Sequence, residues 1–272
     1  MTQPSPAALQ RVRGSGRLRA KWLGGRTRLA EFYQDGSAKI RLPDSFDDSM
    51  EAVLINISGG LTGGDHIDWR LEAGPSTHLV VTTQACERIY KSVGGVAGID
   101  VRLVAHPGAR LFWLPQETIL FDRAALHRRL EVDLAADSEF VAVESVLLGR
   151  QAMGEDVAFG EICDHWRIRR EGRLIHAEEL ALSGPIASLS RRPTILGGAR
   201  AFATVLCISD KAEARLSEIR PLLGDAMAGA SCWQGKLVIR MSAPDGFQLR
   251  RIMIPVMTAL RGGPSLPKAW SL

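Results

Sequence analysis

Residues 130–148 read LEVDLAADSEFVAVESVLL, and this stretch decides the class of fold. Its first five residues alternate leucine or valine with an acidic residue, which is the pattern of a strand with one buried face. From Phe140 to Leu148 the apolar residues are nearly continuous, which predicts a strand covered on both faces. No helical periodicity separates these two predicted strands.

The same pattern extends over residues 50–200. Short runs rich in β-branched residues end at turns such as Ser58–Gly60 and His106–Gly108. Further predicted strands lie at 51–57, 78–83, 101–104, 111–114, 162–168 and 174–178. Strands this frequent, joined by short turns, predict a mainly β fold of wound or stacked strands, a distorted β-helix-like body.

The pattern changes after residue 200. The predicted order is a strand at 201–209, a helix at 216–223, a strand at 236–241 and a helix at 249–260. Pro255 lies inside the second helical stripe and predicts a kink or a shortened helix. Because no linker precedes this strand–helix–strand–helix element at 201–262, we expect it to pack on the β body.

The chain is predicted to form one domain over 15–272, preceded by a flexible tail at 1–14. Seven basic residues lie between Arg11 and Arg28. Their spacing favours a first strand with a basic outward face, and the alternative is a nucleic-acid-binding or organelle-targeting arm.

Composition excludes several classes of protein. The 272 residues carry a formal net charge of +4 and 46% hydrophobic residues, which is unlike a disordered chain or a dedicated nucleic-acid binder. Four cysteines contain no CxxC pair. No apolar run is long enough for a membrane span, and no secretion signal opens the chain. A cytoplasmic protein is expected, with no nucleic-acid or membrane partner.

Familiar catalytic motifs are lacking: the sequence has no GxSxG, HExxH, phosphate loop or GxGxxG opening a helix. Four segments are nevertheless richer in polar groups than a β body needs. They are 58–65 (SGGLTGGD), 82–92 (TTQACERIYKS), 113–121 (WLPQETILF) and 144–155 (ESVLLGRQAMGE).

Each segment permits a specific expectation. The paired glycines of 58–65 indicate either a wide turn or a loop that exposes its backbone to an anion or a partner. Cys86 has no histidine beside it in sequence, which favours an inert thiol. Pro115 predicts a bulge or a corner that carries Gln116 and Glu117. Glu144, inside an apolar strand, is either salt-bridged or part of a buried polar path.

Paired carboxylates open an alternative function. Glu117 and Glu144 could serve as the acid and base of a β-solenoid hydrolase or lyase, as in glycoside hydrolysis. Few aromatic residues that could stack on a sugar accompany them.

Taken in order, the four segments resemble the UreD family of urease accessory proteins, called UreH in some organisms. The C-terminal strings WQGKLV at 233–238, LRR at 249–251, LRG at 260–262 and LPKAW at 266–270 add to the resemblance, which covers about 15–270. Two positions depart from the family pattern, Ala85-Cys86 and Lys268-Ala269, so no role is assigned to Cys86.

The resemblance implies a maturation factor that is not an enzyme. Members of the family bind apo-urease and UreF, which recruits the GTPase UreG. The assembly delivers nickel to the dinuclear urease site, whose bridging ligand is a carbamylated lysine. The implied fold is a helix-like winding of strands with two helices. No tightly bound cofactor is expected, only nickel in transit.

Nickel in transit favours carboxylate, imidazole and water ligands, which exchange readily, over a closed thiolate cage. A water-filled path lined by acids near apolar strands is therefore the hypothesis. Its predicted lining is Asp65, Glu87, Glu144 and Glu178, with polar support from Thr83, Gln84 and Ser92.

Partner binding is predicted at the C-terminal element, because tryptophan is favoured in interface anchors. The predicted docking residues are Leu249, Ile252, Val256, Leu260 and Trp270. The alternative is that this apolar stripe packs on the β body.

Overall fold

A computed structural model describes residues 10–45, 47–150, 153–263 and 265–271, and more than half of its elements are strands. The strands are β1 Arg13–Leu23, β2 Arg26–Gly36, β3 Ala38–Arg41, β4 Met50–Asn56, β5 His66–Ala73, β6 His78–Thr83, β7 Glu87–Ile89, β8 Ala97–Ala105, β9 Arg110–Leu114, β10 Thr118–Leu120, β11 Ala125–Leu134, β12 Glu139–Leu148, β13 Gly160–Arg170, β14 Arg173–Gly184, β15 Ala201–Ile208, β16 Ala228–Trp233 and β17 Lys236–Ala243. The helices are α1 Ile186–Ser190, α2 Ala212–Leu223 and α3 Gly246–Arg261, followed by a 3₁₀ turn at Lys268–Trp270.

The chain winds between two sheets. The first sheet has the order β14-β13-β11-β8-β5-β1-β2, and the second has the order β16-β17-β15-β12-β9-β6-β4-β3. Strands β5, β8, β11 and β13 pair in parallel in the first sheet, while β4, β6, β9 and β12 do so in the second. Successive passes therefore stack on one another, which confirms the predicted β-helix-like winding.

The register of the parallel strands places chemically similar side chains next to one another, in ladders that lie between the two sheets. Leu71, Leu103, Val132 and Ile168 occupy one rank across four parallel strands of the first sheet, and all four are buried. Burying a side chain of this size contributes about 1.5–3 kcal/mol. The ladders thus make the space between the two sheets the main hydrophobic core.

Strand β12 is covered on both faces, as its nearly continuous apolar sequence predicts. Phe140 and Ala142 face the core between the sheets, whereas Val141 and Val143 face a second core. The second core lies between the second sheet and helices α2 and α3. One sheet therefore serves two hydrophobic layers.

Helix α3 has clear start and stop signals. The Asp245 carboxylate accepts a hydrogen bond from the Gln248 backbone N–H at 2.7 Å, and Gly262 ends the helix in the left-handed conformation. The predicted shortening at Pro255 is wrong, because the helix continues for sixteen residues through that position. Pro255 lies on the exposed side of α3, so its ring meets solvent.

Two other expectations need correction. An additional strand, β16, lies between α2 and β17, so the order after residue 200 is strand–helix–strand–strand–helix. The predicted tail at 1–14 overlaps β1, which begins at Arg13, and residues 1–9 of that tail lie outside the described residues.

The basic stretch near the N-terminus is a strand, as predicted. In β1 the exposed Arg17, Arg19 and Lys21 alternate with buried Leu18 and Ala20. No helix in the described part of the chain is both long enough and apolar enough to cross a membrane.

Candidate functional site

Polar side chains meet at the corner between β9 and β10. Pro115 ends β9, and the next two residues, Gln116 and Glu117, are buried at this corner, as predicted. The Gln116 backbone N–H donates to Thr83 Oγ1 at 2.9 Å. Arg250 of α3 donates to Gln116 Oε1 at 2.7 Å and lies 3.4 Å from Glu117 Oε1. The corner is thus tied to both β6 and the C-terminal helix.

Glu87 lies beside a small cavity. The cavity, of about 160 Å³, is lined by Asn56, Thr83, Gln84 and Cys86 as well as Glu87. Asn56 Nδ2 donates to Glu87 Oε1 at 3.0 Å. Burial nevertheless raises the pKa of Glu87 to about 7. This carboxyl therefore gains and loses its proton near neutral pH. Two of the three residues predicted to support the path, Thr83 and Gln84, line the same cavity.

Cys86 borders the same cavity but is not a thiolate. Its Sγ donates to Glu117 Oε2 at 3.4 Å. Burial, with a further contribution from Glu117, raises the pKa of Cys86 to about 12. The thiol is therefore protonated at neutral pH, which fits the predicted inert cysteine.

Three buried charged residues form a group, the ionic triad Arg128, Glu144 and Asp164. Arg128 Nη1 lies 2.5 Å from Glu144 Oε2, and Arg128 Nη2 donates to Asp164 Oδ2 at 2.6 Å. Trp113 Nε1 donates to the second oxygen of Glu144 at 2.8 Å. Of the two alternatives for Glu144, the salt bridge is confirmed.

Register explains how the triad assembles. Arg128 and Asp164 are paired across β11 and β13, in the rank that Ile67 and Ile99 occupy in β5 and β8. Of the four side chains in this inward-facing row, two are therefore charged and two are aliphatic. Glu144 reaches the same place from β12, where residues 140, 142 and 144 share the inward face.

The triad holds one cation and two acids. Burial lowers the pKa of Arg128, but the carboxylates of Asp164 and Glu144 outweigh it and raise that pKa above its usual range. Burial raises the pKa of Glu144 despite Arg128, and Asp164 adds to this rise. Since one guanidinium neutralises only one carboxylate, the triad carries one acid in excess, and burial raises the pKa of Glu144 and so favours its protonated form.

Asp65 and Ser92, by contrast, hold loops together. The Asp65 carboxylate accepts hydrogen bonds from the backbone N–H groups of Val12 and Thr62, both at 2.8 Å. Ser92 Oγ donates to the Gly95 carbonyl at 2.8 Å. A Cβ on Gly63 would lie 2.5 Å from two carbonyl oxygens of the facing loop, so the glycines of 58–65 permit close packing of loop on loop.

Glu178 lies at another edge of the molecule. Both of its oxygens accept hydrogen bonds from Arg240, at 2.7 and 2.8 Å, beside a groove of about 660 Å³. It belongs to β14, four strand spacings from β5, which Asp65 immediately precedes. At about 4.8 Å per spacing these two acids are roughly 19 Å apart, so the four predicted acids do not share one cavity.

The structure also bears on the alternative function in which Glu117 and Glu144 act as an acid and a base. Glu117 and Glu144 are both at most 5% exposed. Glu117 contacts Arg250 and Cys86, while both oxygens of Glu144 contact Arg128 or Trp113. Neither carboxylate faces a cleft that could receive a sugar, so the geometry does not favour this alternative.

The predicted docking stripe faces inward. Leu249, Val256, Leu260 and Trp270 are buried in the second core, and Ile252 is half-buried against it. Trp270 Nε1 donates to the Leu114 carbonyl at 3.0 Å. These side chains therefore follow the alternative expectation: they pack on the β body, where their apolar surface is removed from water.

A different set of α3 side chains is exposed. The outer face of this helix presents Phe247, Arg251, Pro255 and Thr258, at helical spacing. Phe247 is the large apolar member, with 64% of its surface accessible.

Sequence reasoning missed Arg128 and Asp164, although a signal was present. Asp164 shares the strand face of Ile162, Trp166 and Ile168, and a charge in an inward register requires a buried partner. The partner lies on the neighbouring parallel strand, and strand pairing is not visible in one sequence.

Comparisons with known proteins agree over nearly the whole chain. The family model described as "UreD urease accessory protein" matches residues 12–271. A urease accessory protein UreD from Rhizobium leguminosarum bv. viciae is 60% identical, with 97% of this chain and 96% of that protein covered. Proteins of the same name from Agrobacterium fabrum and Sinorhizobium medicae are 57% and 52% identical, covering 98% and 100% of this chain and 94% and 100% of their own lengths.

Proposed function

Because this chain belongs to the UreD family of urease accessory proteins, we propose that it binds apo-urease and UreF, which carries the GTPase UreG, and so facilitates nickel insertion into urease. The observation that carries the proposal is the match to urease accessory proteins along almost the full length of the chain. The chain then acts by holding partners and passing an ion, with no reaction of its own.

The polar interior supports the nickel part of this proposal. Carboxylates and water are ligands that a divalent ion can exchange, whereas a thiolate cage would retain it. Glu117 and Glu144 are buried, Glu87 is half-buried beside its cavity, and the neighbouring Cys86 is a protonated thiol. Near neutral pH the Glu87 carboxyl can exchange its proton for a cation.

Unpartnered polar atoms support passage of water or a hydrated ion nearby. Within the described residues, Gln116 Nε2, Ser145 Oγ and Asp164 Oδ1 are buried without a hydrogen-bond partner. Most buried polar atoms have a partner, which can be water. Gln116 lies at the corner and Asp164 in the triad, whereas Ser145 lies in β12 on the face opposite Glu144.

We therefore assign the ion-handling role first to Glu87 and to the more deeply buried carboxylates of Glu117 and Glu144. Asp65 and Glu178 stay in the proposal as candidate lining residues, although hydrogen bonds already engage both carboxylates. Thr83 and Gln84 line the Glu87 cavity, and Ser92 orders the neighbouring loop.

Urease activation in cells tests the proposal. Cells that express urease and the other accessory proteins are compared with and without this chain at limiting nickel. We expect urease purified without it to carry several-fold less nickel and correspondingly less activity. Full activation without the chain would refute the maturation role.

A variant tests the ion-handling role separately. Glu87→Gln keeps the shape of the side chain and an oxygen for Asn56, but cannot ionise. We expect several-fold lower nickel content in urease with unchanged co-purification of UreF and urease. The matched control is Glu131→Gln, an outward-facing glutamate of β11 paired with Arg102. Equal nickel loading by the two variants would contradict the role of Glu87.

The UreF-binding surface is proposed on the outer face of α3. Since the inward stripe is covered by the second sheet, the exposed Phe247 and Arg251 are the available contacts. We expect Phe247→Ala to reduce co-purification with UreF several-fold, because an exposed aromatic side chain is a typical interface anchor. Unchanged co-purification of Phe247→Ala would exclude this face.

A further inference from the structure

Three metal-binding side chains of different chemistry converge on the outer face of the first sheet. His127 lies on β11, and Glu161 and Cys163 lie on β13. Their potential ligand atoms, a ring nitrogen, a carboxylate oxygen and Sγ, all lie within 4.8 Å of one another. His127 Nε2 and Glu161 Oε1 are 2.7 Å apart.

Strand register brings them together. His127 and Cys163 are direct partners across the parallel pair β11–β13, where neighbouring strands lie about 4.8 Å apart. Glu161 precedes Cys163 by two positions and therefore shares its face. Their neighbours along the two strands, Arg128, Ile162 and Asp164, point into the core. The cluster is thus separate from the interior carboxylates.

We propose that His127, Glu161 and Cys163 form a surface site for a divalent transition-metal ion of borderline softness, such as Zn²⁺ or Ni²⁺. Imidazole, carboxylate and thiolate are the ligands such ions accept, and bonds of about 2.0–2.3 Å place tetrahedral donors roughly 3.3–3.8 Å apart. Small rotations of these half-exposed side chains reach that spacing. The ion takes the place of the hydrogen between His127 Nε2 and Glu161, which is carried on Nδ1 in the other neutral tautomer, and it displaces the thiol proton to solvent.

Three protein ligands leave one coordination position open. Structural zinc sites are closed by four protein ligands, whereas a site with an open position exchanges water or a ligand from another molecule. The exposure of His127 leaves that position accessible from solvent. The site therefore suits reversible binding of an ion, and it does not depend on the function proposed above.

Cobalt titration of the full-length chain tests the site, because thiolate bound to Co²⁺ gives an intense near-ultraviolet charge-transfer band. We expect one equivalent of Co²⁺ to produce this band in the wild-type chain and one equivalent of Zn²⁺ to remove it. Cys163→Ser should abolish the band. His127→Ala and Glu161→Gln should each weaken binding by more than about tenfold, since losing even an outer-shell partner costs about that much.

Matched controls come from elsewhere in the chain. His106→Ala removes a histidine that pairs with Glu72 at the same distance of 2.7 Å, and Cys232→Ser removes another half-buried thiol. Both should bind Co²⁺ like the wild type. A wild-type chain without the band, or a band that persists in Cys163→Ser, would overturn the proposal.

Alkylation of the wild-type chain gives a second measurement that does not depend on a variant folding. Zn²⁺ should slow the modification of Cys163, followed by mass spectrometry, at least tenfold while leaving that of Cys232 unchanged. Equal rates for Cys163 with and without Zn²⁺ would refute the site.

Discussion

At the scale of single residues, Arg128 shows how a charge persists inside a hydrophobic stack. Its guanidinium bonds two carboxylates and the Thr118 hydroxyl, so most of its donors are used within the core. Such groups add little net stability, but removing Arg128 leaves two buried acids without a cation, and removing either acid leaves part of the guanidinium without its acceptor. Arg128 is therefore the member of the triad on which the other two depend.

The first prediction follows for Glu144. Glu144→Ala leaves Arg128 Nη1 and Trp113 Nε1 without their carboxylate acceptor, while Asp164 still neutralises Arg128, so we expect a loss of about 2–4 kcal/mol in the free energy of unfolding. Urea denaturation measures this loss. The control is Glu31→Ala, which breaks an exposed ion pair with Arg19 and should cost less than about 1 kcal/mol. Equal effects of the two variants would show that the triad does not stabilise the fold.

A second prediction concerns pH and Glu87. Its pKa is raised from 4.5 to about 7 in the folded chain, so between these values the folded state binds more protons than the unfolded state. The contribution of Glu87 therefore lowers the free energy of unfolding as pH rises from about 4.5 to about 7, and is constant above that. Glu87→Gln should reduce this fall by up to about 3 kcal/mol.

Urea denaturation across this pH range measures the difference between the wild-type chain and Glu87→Gln. Glu131→Gln serves again as the control, because burial of Glu131 is slight and its pKa is lowered, first of all by its hydrogen bond from Arg102. That variant should not reduce the fall. Parallel curves for the wild type and Glu87→Gln would contradict the raised pKa.

At the scale of elements, α3 and the 3₁₀ turn after it act as a clamp on the β9–β10 corner. Arg250 bonds Gln116, and its guanidinium lies 5.5 Å from the Trp270 ring centroid. Trp270 in turn bonds the Leu114 carbonyl. The segments 113–121 and 249–270 are far apart in sequence but form one structural unit.

The third prediction tests this clamp. Trp270→Ala removes a fully buried ring and its hydrogen bond, so we expect the free energy of unfolding to fall by about 3–5 kcal/mol. Phe247→Ala, on the exposed face of α3, should change it by less than about 0.5 kcal/mol. A small effect of Trp270→Ala in urea denaturation would show that the C-terminal turn does not hold the corner.

Elements with strong periodicity were predictable from the sequence, and weak ones were not. Strand β6 has the bounds expected from its apolar run, and the two larger helices lie where apolar spacing predicts them. Strand β16, AGASCW, was missed because its small residues carry no periodic signal. Cys163 lies inside the strand predicted at 162–168 but Glu161 lies just before it, and the contribution of His127 depends on the pairing of β11 with β13.

At the scale of the whole molecule, the second sheet joins two hydrophobic cores. Its central strands turn alternate residues toward the first sheet and toward the helices, as Leu111 and Phe112 of β9 illustrate. Unfolding of the second sheet would therefore expose the apolar side chains of both cores to water. The two layers are therefore expected to unfold together.

The fourth prediction is a single cooperative transition. Far-ultraviolet circular dichroism reports the strands, and fluorescence reports tryptophans in both cores, among them Trp166 and Trp270. We expect coincident midpoints in urea for the two signals. Separate midpoints, or a Trp270→Ala variant that shifts only one signal, would show that the helical layer is an independent unit.

The ionic triad also constrains the ancestry of this protein. A lineage drifting toward a wholly apolar ladder at the rank of Ile67 and Ile99 cannot lose Arg128 first, because that loss leaves Glu144 and Asp164 buried without a cation. Three aliphatic replacements made together would escape that penalty. Descendants should accordingly keep Arg128 wherever they keep both Glu144 and Asp164.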